Sequence, residues 1–179
     1  MKLDAPGWLW PVPISADGRK PSISDGFHLA GDTRFRQGVG HRGQDIMYRR
    51  RLLRPPVAPH PWSSPHYEMF PRTPAIAANE GEVYRCGRLV TGWHVILDHG
   101  DGFGTGYHHL SELAHGLEHG ARVAAGEPLG VVGGSPVGYG LVHLHFDVAT
   151  NGRFIDAAAV MRRWGYVTLE QAWGGIGRV

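Results

Sequence analysis

Apolar and polar residues alternate without interruption in Val142-His143-Leu144-His145-Phe146-Asp147-Val148. Successive side chains of a β-strand point to opposite faces, so His143, His145 and Asp147 would share one face. The other face would then be wholly apolar and could pack on a hydrophobic core. A strand anchored in this way holds its polar side chains rigidly, and histidine is the commonest metal ligand in proteins. The stretch therefore predicts a rigid strand that carries a metal site.

The rest of the 179-residue chain contains many turn residues, with 27 glycines and 13 prolines, which excludes a long-helix protein. From residue 74 onward, short β segments alternate with turn signals every ~8–12 residues. This pattern predicts a mainly β fold, a small antiparallel sheet or sandwich with long loops and one or two short helices. The predicted strands are Ala75–Ala78, Gly81–Arg85, Trp93–Asp98, Thr105–Leu110, Pro128–Val132 and Val142–Ala149. The predicted helices are Asp156–Trp164 and Thr168–Trp173.

The length favours a single domain over residues 1–179, because domains typically contain ~100–200 residues. Residues 1–25 are rich in Pro, Gly and Ser, and we expect them to lie extended across a surface. Residues 47–73 contain six prolines and five arginines, without helical or strand periodicity, which predicts an inserted loop. Residues 153–179 are expected to form a helical tail.

Several classes of protein are not supported by the sequence. The single cysteine, Cys86, excludes an internal disulfide and lacks the partner that a catalytic thiol needs. No apolar segment reaches the ~20 residues of a membrane span, and no signal peptide is visible. The basic cluster of Arg49–Arg51 and Arg54 comes without a nucleic-acid-binding motif, so we expect no nucleic-acid partner.

Two further clusters could contribute to a metal site. On a straight strand, His41 and Asp45 would lie ~13 Å apart, too far to share an ion, but Gly43 between them permits a bend. In Tyr107-His108-His109, strand alternation would send the two histidines to opposite faces, so at most one should point into a given site. Two histidines and one carboxylate would suit a catalytic Zn²⁺ with an open fourth position. Spacing does not tell which histidines bind the metal.

The order His-x-x-x-Asp, Tyr-x-His-Leu-Ser and His-Leu-His-Phe resembles that of the lysostaphin-type (LytM-like) zinc endopeptidases, which cut peptides in bacterial cell walls. The resemblance covers roughly residues 22–160. It extends to motifs outside the candidate ligands, namely Thr73-Pro74-Ala75-Ile76-Ala77 with Gly81-Glu82-Val83, Trp93-His94-Val95-Ile96-Leu97-Asp98-His99-Gly100, and Val123-Ala124-Ala125-Gly126-Glu127-Pro128-Leu129-Gly130. Several ordered motifs in one chain are more specific than any single one.

The resemblance implies one Zn²⁺ held by His41, Asp45 and His145, with proton-transfer and oxyanion roles for His109 and His143. It also implies a small antiparallel β structure, like a duplicated hybrid motif, with a long substrate groove. The implied function is hydrolysis of peptide cross-links or bridges of peptidoglycan at the bacterial cell wall, by a chain that we expect to be monomeric.

Substrate contacts are predicted beside this site. We expect the 47–73 block to form one wall of the groove, with Tyr48, His66 or Tyr67 nearby, and we expect Tyr107 to contact substrate as well. Asp147 departs from the family pattern, in which glutamate is frequent at that position.

The alternative function is that of a non-catalytic LytM-like module, which binds a partner or the cell wall and regulates another hydrolase. Degenerate members of this kind usually lack one or more ligand positions, whereas this sequence keeps all five site residues. A cupin-like metal protein is rejected because no histidine follows His145.

Overall fold

The computed structural model describes residues 3–31, 40–51, 65–134 and 141–174. Within these ranges the chain forms 11 strands and two short helices. The strands are β1 (Pro21–Asp25), β2 (Gln44–Arg49), β3 (Tyr67–Glu68), β4 (Pro74–Ile76), β5 (Gly81–Leu89), β6 (Gly92–Asp98), β7 (Phe103–Leu113), β8 (Arg122–Val123), β9 (Pro128–Val132), β10 (Leu144–Thr150) and β11 (Arg153–Phe154). The helices are α1 (Ala158–Met161) and α2 (Leu169–Gly174).

The strands pair antiparallel in the order β1-β2-β10-β7-β6-β5-β8, with β3 on β2, β11 on β10, and β4 and β9 joined to β7 through β9. This arrangement confirms the predicted mainly β, antiparallel fold with short helices. Strand β10 lies between β2 and β7. His145 is therefore opposite Asp45 on one side and opposite His108 on the other.

The two faces of β10 differ as the alternation of its residues predicts. Leu144, Phe146 and Val148 are fully buried in the hydrophobic core. His145 and Asp147 lie on the opposite face of the strand. Burial of these three apolar side chains stabilises the fold by ~1.5–3 kcal/mol each, so β10 is a firm support for the polar residues behind it.

The N-terminal segment contributes to the core, and the prediction that residues 1–25 lie across a surface is wrong. Trp8, Trp10 and Val12 are buried. The ring of Trp8 stacks on that of Trp164 at 5.0 Å between centroids, and Gly165 N donates to the Trp8 carbonyl at 2.8 Å. A tryptophan buries ~150–250 Å², so Trp8 and Trp10 fix this segment to the core. The proline- and glycine-rich composition of the segment does not indicate this.

The predicted loop over residues 47–73 is wrong at both ends, where the chain forms strands. Strand β2 continues to Arg49, and the short β3 pairs with it so that Tyr67 lies opposite Arg49. Strand β3 is tied to the N-terminal segment through Arg19, whose guanidinium pairs with Glu68. Residues 52–64 lie outside the described ranges.

The other predicted elements differ from the structure mainly at their ends. Each of the six predicted strands overlaps an observed one, whereas β1, β2, β3, β8 and β11 were not predicted. Helix α1 is shorter than the predicted Asp156–Trp164, although the Asp156 carboxylate accepts a hydrogen bond from Ala158 N at 2.9 Å, as a residue near a helix start does. In the described part of the chain, no helix has the length and apolar character needed to cross a membrane.

Candidate metal centre

Three side chains converge on one point. Asp45 is on β2, His145 is on the neighbouring β10, and His41 lies in the segment that precedes β2. The atoms His41 Nε2 and Asp45 Oδ1 are 2.9 Å apart. His145 Nδ1 lies 2.9 Å from the same oxygen and 3.0 Å from His41 Nε2. Donor atoms at ~2.0–2.2 Å from one ion would be separated by about this much, so the three residues fit a single cation such as Zn²⁺.

A bend in the chain brings His41 and Asp45 together. His41 is bridged to His28 and lies outside β2, which begins at Gln44. The bend falls at Gly43, where a Cβ atom would be only 2.5 Å from the Phe146 carbonyl oxygen. Gly43 therefore permits the bend, as predicted, and also the close approach of this segment to β10.

The hydrogen bond at the far side of the His41 ring fixes its tautomer. His41 Nδ1 lies 2.7 Å from the Gly26 carbonyl, which can only accept, so Nδ1 carries the hydrogen. In the neutral ring, Nε2 then presents a lone pair toward the Asp45 carboxylate. Two lone pairs facing each other at 2.9 Å repel unless a proton or a metal ion lies between them. This donor set is therefore well suited to a cation, and such outer hydrogen bonds are typical of histidine ligands.

Asp45 is ionised in this environment. Burial disfavours its charged form, but the close contacts of the carboxylate with the His145, His41 and His143 rings outweigh burial and hold the pKa of Asp45 far below its ordinary range. A buried carboxylate that stays charged needs a compensating positive charge nearby.

Within the described ranges, the cluster provides three of the four ligands that a tetrahedral zinc site takes. Among the described residues, no fourth His, Cys, Asp or Glu ligand atom lies close to all three of His41, Asp45 and His145. A second group of Asp25, His28 and His41 has ligand atoms within 4.8 Å of one another, but it shares His41, whose Nδ1 is taken by Gly26. An open position is the arrangement of catalytic rather than structural zinc sites.

Two further histidines border the cluster. The ring of His109 lies 5.0 Å from that of His143 and 5.8 Å from that of His145, and His143 Nε2 is 3.6 Å from Asp45 Oδ1. The Nδ1 atoms of His109 and His143 donate to the carbonyls of Thr91 and Leu141. Each neutral ring therefore keeps a lone pair on Nε2, as a proton acceptor requires.

His109 is neutral at neutral pH. Burial, together with the neighbouring His143, lowers the pKa of His109 to about 4, against which the hydrogen bond to Thr91 acts weakly. A neutral imidazole with a free Nε2 can accept a proton from water or substrate.

The conformation of β7 contradicts the prediction that alternation sends its two histidines to opposite faces. His109 has φ +63°, a left-handed value that interrupts the alternation of the strand. The rings of His108 and His109 consequently both approach His145, at 5.5 and 5.8 Å. Two glycines border this turn of the backbone. A Cβ atom on Gly92 would lie 2.9 Å from the Leu110 carbonyl oxygen, and one on Gly133 would lie 2.9 Å from the His109 carbonyl oxygen.

The structure does not support the predicted substrate contacts of two tyrosines. Tyr48 and Tyr107 are 1% and 0% exposed, and their hydroxyls bond to Pro13 O and Ala78 N inside the core. A tyrosine belongs in the core when its hydroxyl finds a partner there, which alternation alone does not indicate. His66 is exposed and Tyr67 is half-buried in β3; their contact with substrate stays a prediction.

Sequence reasoning missed the partnership of His108 with Asp147. His108 Nε2 lies 2.7 Å from Asp147 Oδ2, and both belong to the face of the sheet that carries His145. Asp147 was assigned to this face from alternation. His108 lies on this face by regular alternation from the buried Tyr107 and by its pairing with His145. The departure from alternation at His109 brings His109 there as well, and no local sequence signal predicts it.

The sequence model of peptidase family M23 matches residues 61–157, which is more than half of the chain. The protein belongs to this family of LytM-like peptidases, as its sequence motifs suggest. The match includes His109, His143 and His145 but begins after His41 and Asp45. The structure shows that His41 and Asp45 lie next to His145. No curated protein matches the sequence.

Solved structures share the fold. A zinc-containing peptidase from Vibrio cholerae has 20% identity and a TM-score of 0.58, over 84% of this chain and 39% of that one. The antimicrobial peptidase lysostaphin from Staphylococcus simulans has 21% identity and a TM-score of 0.58, over 88% and 56%. One chain of the SpoIIIAH–SpoIIQ complex has 19% identity and a TM-score of 0.60, over 85% and 98%. The protein thus spans about two fifths of the Vibrio peptidase and just over half of lysostaphin.

Proposed function

We propose that the protein is a zinc-dependent endopeptidase that hydrolyses peptide cross-links or bridges of bacterial peptidoglycan. The observation that carries this proposal is the convergence of His41 Nε2, Asp45 Oδ1 and His145 Nδ1 within 3.0 Å, beside two histidines whose Nδ1 atoms bond to backbone carbonyls. A purely structural zinc site would be closed by a fourth ligand and would need no neighbouring bases.

Zinc held by His41, Asp45 and His145 would polarise the scissile carbonyl and lower the pKa of a water molecule toward ~7. His109 and His143 supply the remaining chemistry. Each presents Nε2 as a proton acceptor, and a ring that has taken up a proton becomes a donor on that same atom. It can then stabilise the negative charge that develops on the carbonyl oxygen, and later protonate the leaving amine.

The choice of peptidoglycan as substrate is supported by membership of family M23 and by the fold shared with the antimicrobial peptidase lysostaphin. We accordingly propose that the protein acts at the bacterial cell wall, outside the cytoplasmic membrane. Peptides of the wall are the proposed partners.

The test combines metal analysis with mass spectrometry of peptides released from purified cell walls. The proposal expects one zinc per chain and release of soluble muropeptides. His145→Ala should lose both, because it removes one of three ligands. His115→Ala is the matched control, because His115 is exposed in the turn that follows β7. This variant should keep both zinc and peptide release. Peptide release by His145→Ala at the parent rate would contradict the proposal.

A non-catalytic module is the second candidate, and the fold shared with one chain of a two-protein complex is the observation that favours it. The two candidates differ in one measurable outcome. A chain that binds one zinc but releases no peptide from any of several wall types would support the module. Retention of all five site residues in the expected positions favours the enzyme.

A further inference from the structure

A second polar cluster lies next to the metal centre, on the side of His145 that faces away from His41. It consists of His108 on β7, Asp147 on β10 and His94 on β6, and we refer to it as the His108 cluster. None of its members belongs to the three candidate ligands or to the His109–His143 pair. Its role in the fold and in the proposed chemistry is therefore unassigned.

The centre of the cluster is a hydrogen bond between His108 and Asp147. His108 Nε2 lies 2.7 Å from Asp147 Oδ2, and the ring nitrogen donates to the carboxylate oxygen. The two side chains are 21% and 12% exposed. A short bond to a charged acceptor in a largely buried place fixes the orientation of the His108 ring.

The ring of His108 is held between two other imidazoles. It meets His145 edge-on, with centroids 5.5 Å apart and planes at 67°. On its other side it is parallel to His94, with centroids 5.9 Å apart and planes at 8°. His94 is buried, so this row of rings is anchored in the sheet at the end that lies away from the metal centre.

The pair packs closely against the backbone of β7 at Gly106. A Cβ atom on Gly106 would be 2.6 Å from both carboxylate oxygens of Asp147 and 2.7 Å from His108 Nε2. Glycine at this position is thus what lets the hydrogen-bonded pair lie flat against β7. On the opposite side of His145, the His41 ring is 4.8 Å away.

We infer that the His108–Asp147 pair is a positioning device for His145, holding its ring so that Nδ1 points at the metal. This inference rests on the proposed zinc site. His145 is confined by His41 on one side and His108 on the other, and Asp147 fixes His108. Without the pair, the His145 ring gains freedom to rotate away from the productive geometry, which weakens metal binding. Changes in the surroundings of a ligand typically cost ~10–100-fold in metal affinity.

The experiment measures zinc affinity by competition with a chelator, together with the absorption spectrum of the Co²⁺-substituted protein. The variants are His108→Phe, which keeps an aromatic ring but cannot bond to Asp147, Asp147→Asn, which removes the charge, and the double variant. The matched controls His115→Phe and Asp4→Asn make the same changes at exposed positions. Thermal unfolding monitors whether each variant is folded.

Each single variant should bind zinc ~10-fold more weakly and shift the Co²⁺ absorption bands, while both controls match the parent. The double variant should lose no more than the worse single one, because the two residues act as a unit. Variants that bind zinc with the parent's affinity and give the parent's Co²⁺ spectrum would overturn this inference alone. A parent chain that binds no zinc would overturn the proposed function itself.

Discussion

Strands β10 and β7 lie side by side and present histidines to the same site in different ways. β10 alternates regularly, with Phe146 in the core and His145 on the site face. β7 departs from regularity at His109, whose φ of +63° turns two consecutive histidines toward one face. The regular strand delivers a metal ligand, and the irregular one delivers a candidate base together with a residue that supports the ligand.

The two strands differ in the conformational free energy that their backbones require. A regular strand gains stability from both its pairing and its buried face. A left-handed conformation costs an L-residue ~1–2 kcal/mol, and such residues persist where the surrounding structure fixes them, often at functional sites. At His109 the hydrogen bond from Gly133 N to its carbonyl, at 2.8 Å, is one of the contacts that do so.

The largest effect is expected from the residues that border the metal centre. His109→Ala and His143→Ala should each lower kcat/KM for wall peptides by ~10²–10⁴-fold, because each removes a group that moves a proton. Both should retain one zinc per chain, unlike His145→Ala. Metal analysis and peptide-release kinetics check this, and loss of zinc from His109→Ala would show that this residue is a ligand or maintains one.

The apolar face of β10 should dominate stability. Phe146 is fully buried and packs on Tyr107 at 5.3 Å and on Trp164 at 6.0 Å between ring centroids. Phe146→Ala should lower the free energy of unfolding by ~3–5 kcal/mol, from lost burial and the cavity left behind. Phe154→Ala, at a residue that is 42% exposed, is the control. Urea unfolding of both variants tests the assignment, which equal effects would contradict.

A crossed substitution tests the irregularity of β7 directly. At His109, glycine should give a protein more stable than alanine by ~1 kcal/mol, because only glycine tolerates positive φ without strain. At the adjacent His108 the order should reverse, since glycine weakens a regular strand. Unfolding free energies of the four variants provide the measurement. Alanine more stable than glycine at both positions would mean that His109 does not hold a left-handed conformation in solution.

The smallest effect concerns a histidine outside the site. His99 bonds through Nδ1 to Glu80 O and through Nε2 to Thr105 Oγ1. Burial lowers the pKa of His99 below its ordinary 6.5, so the unfolded chain binds a proton that the folded chain excludes. Stability should therefore be complete above about pH 6.5 and decrease as the pH falls below it.

In His99→Gln this part of the decrease should disappear. The comparison is made by urea unfolding of the parent and the variant between pH 5 and 8, since other buried histidines contribute to the total slope in both proteins. Identical slopes in the two proteins would contradict the assignment.

Much of the fold was predictable because it depends on local pattern. The alternation around His145 assigned both faces of β10, and turn residues separated the strands from residue 74 onward. The bend at Gly43 was predictable in part, since glycine was the residue that permitted it. What only the structure adds is that the Phe146 carbonyl lies where a side chain would be.

The rest could not be predicted because it depends on contacts between distant segments. The conformation of His109 is surrounded by Gly92 and Gly133, which lie 17 residues before and 24 residues after it. The core role of Trp8 depends on Trp164 at the other end of the chain. The local sequence predicts a regular strand at His109 and a surface segment at Trp8. Tertiary packing overrides both predictions.

The central claim is that His41, Asp45 and His145 hold one metal ion whose remaining position is open. X-ray diffraction from crystals grown with zinc, with data collected on both sides of the zinc absorption edge, tests it most directly. We expect one anomalous peak bonded to His41 Nε2, an Asp45 carboxylate oxygen and His145 Nδ1, with no fourth protein ligand. A peak elsewhere, or a fourth side chain bonded to the ion, would contradict it.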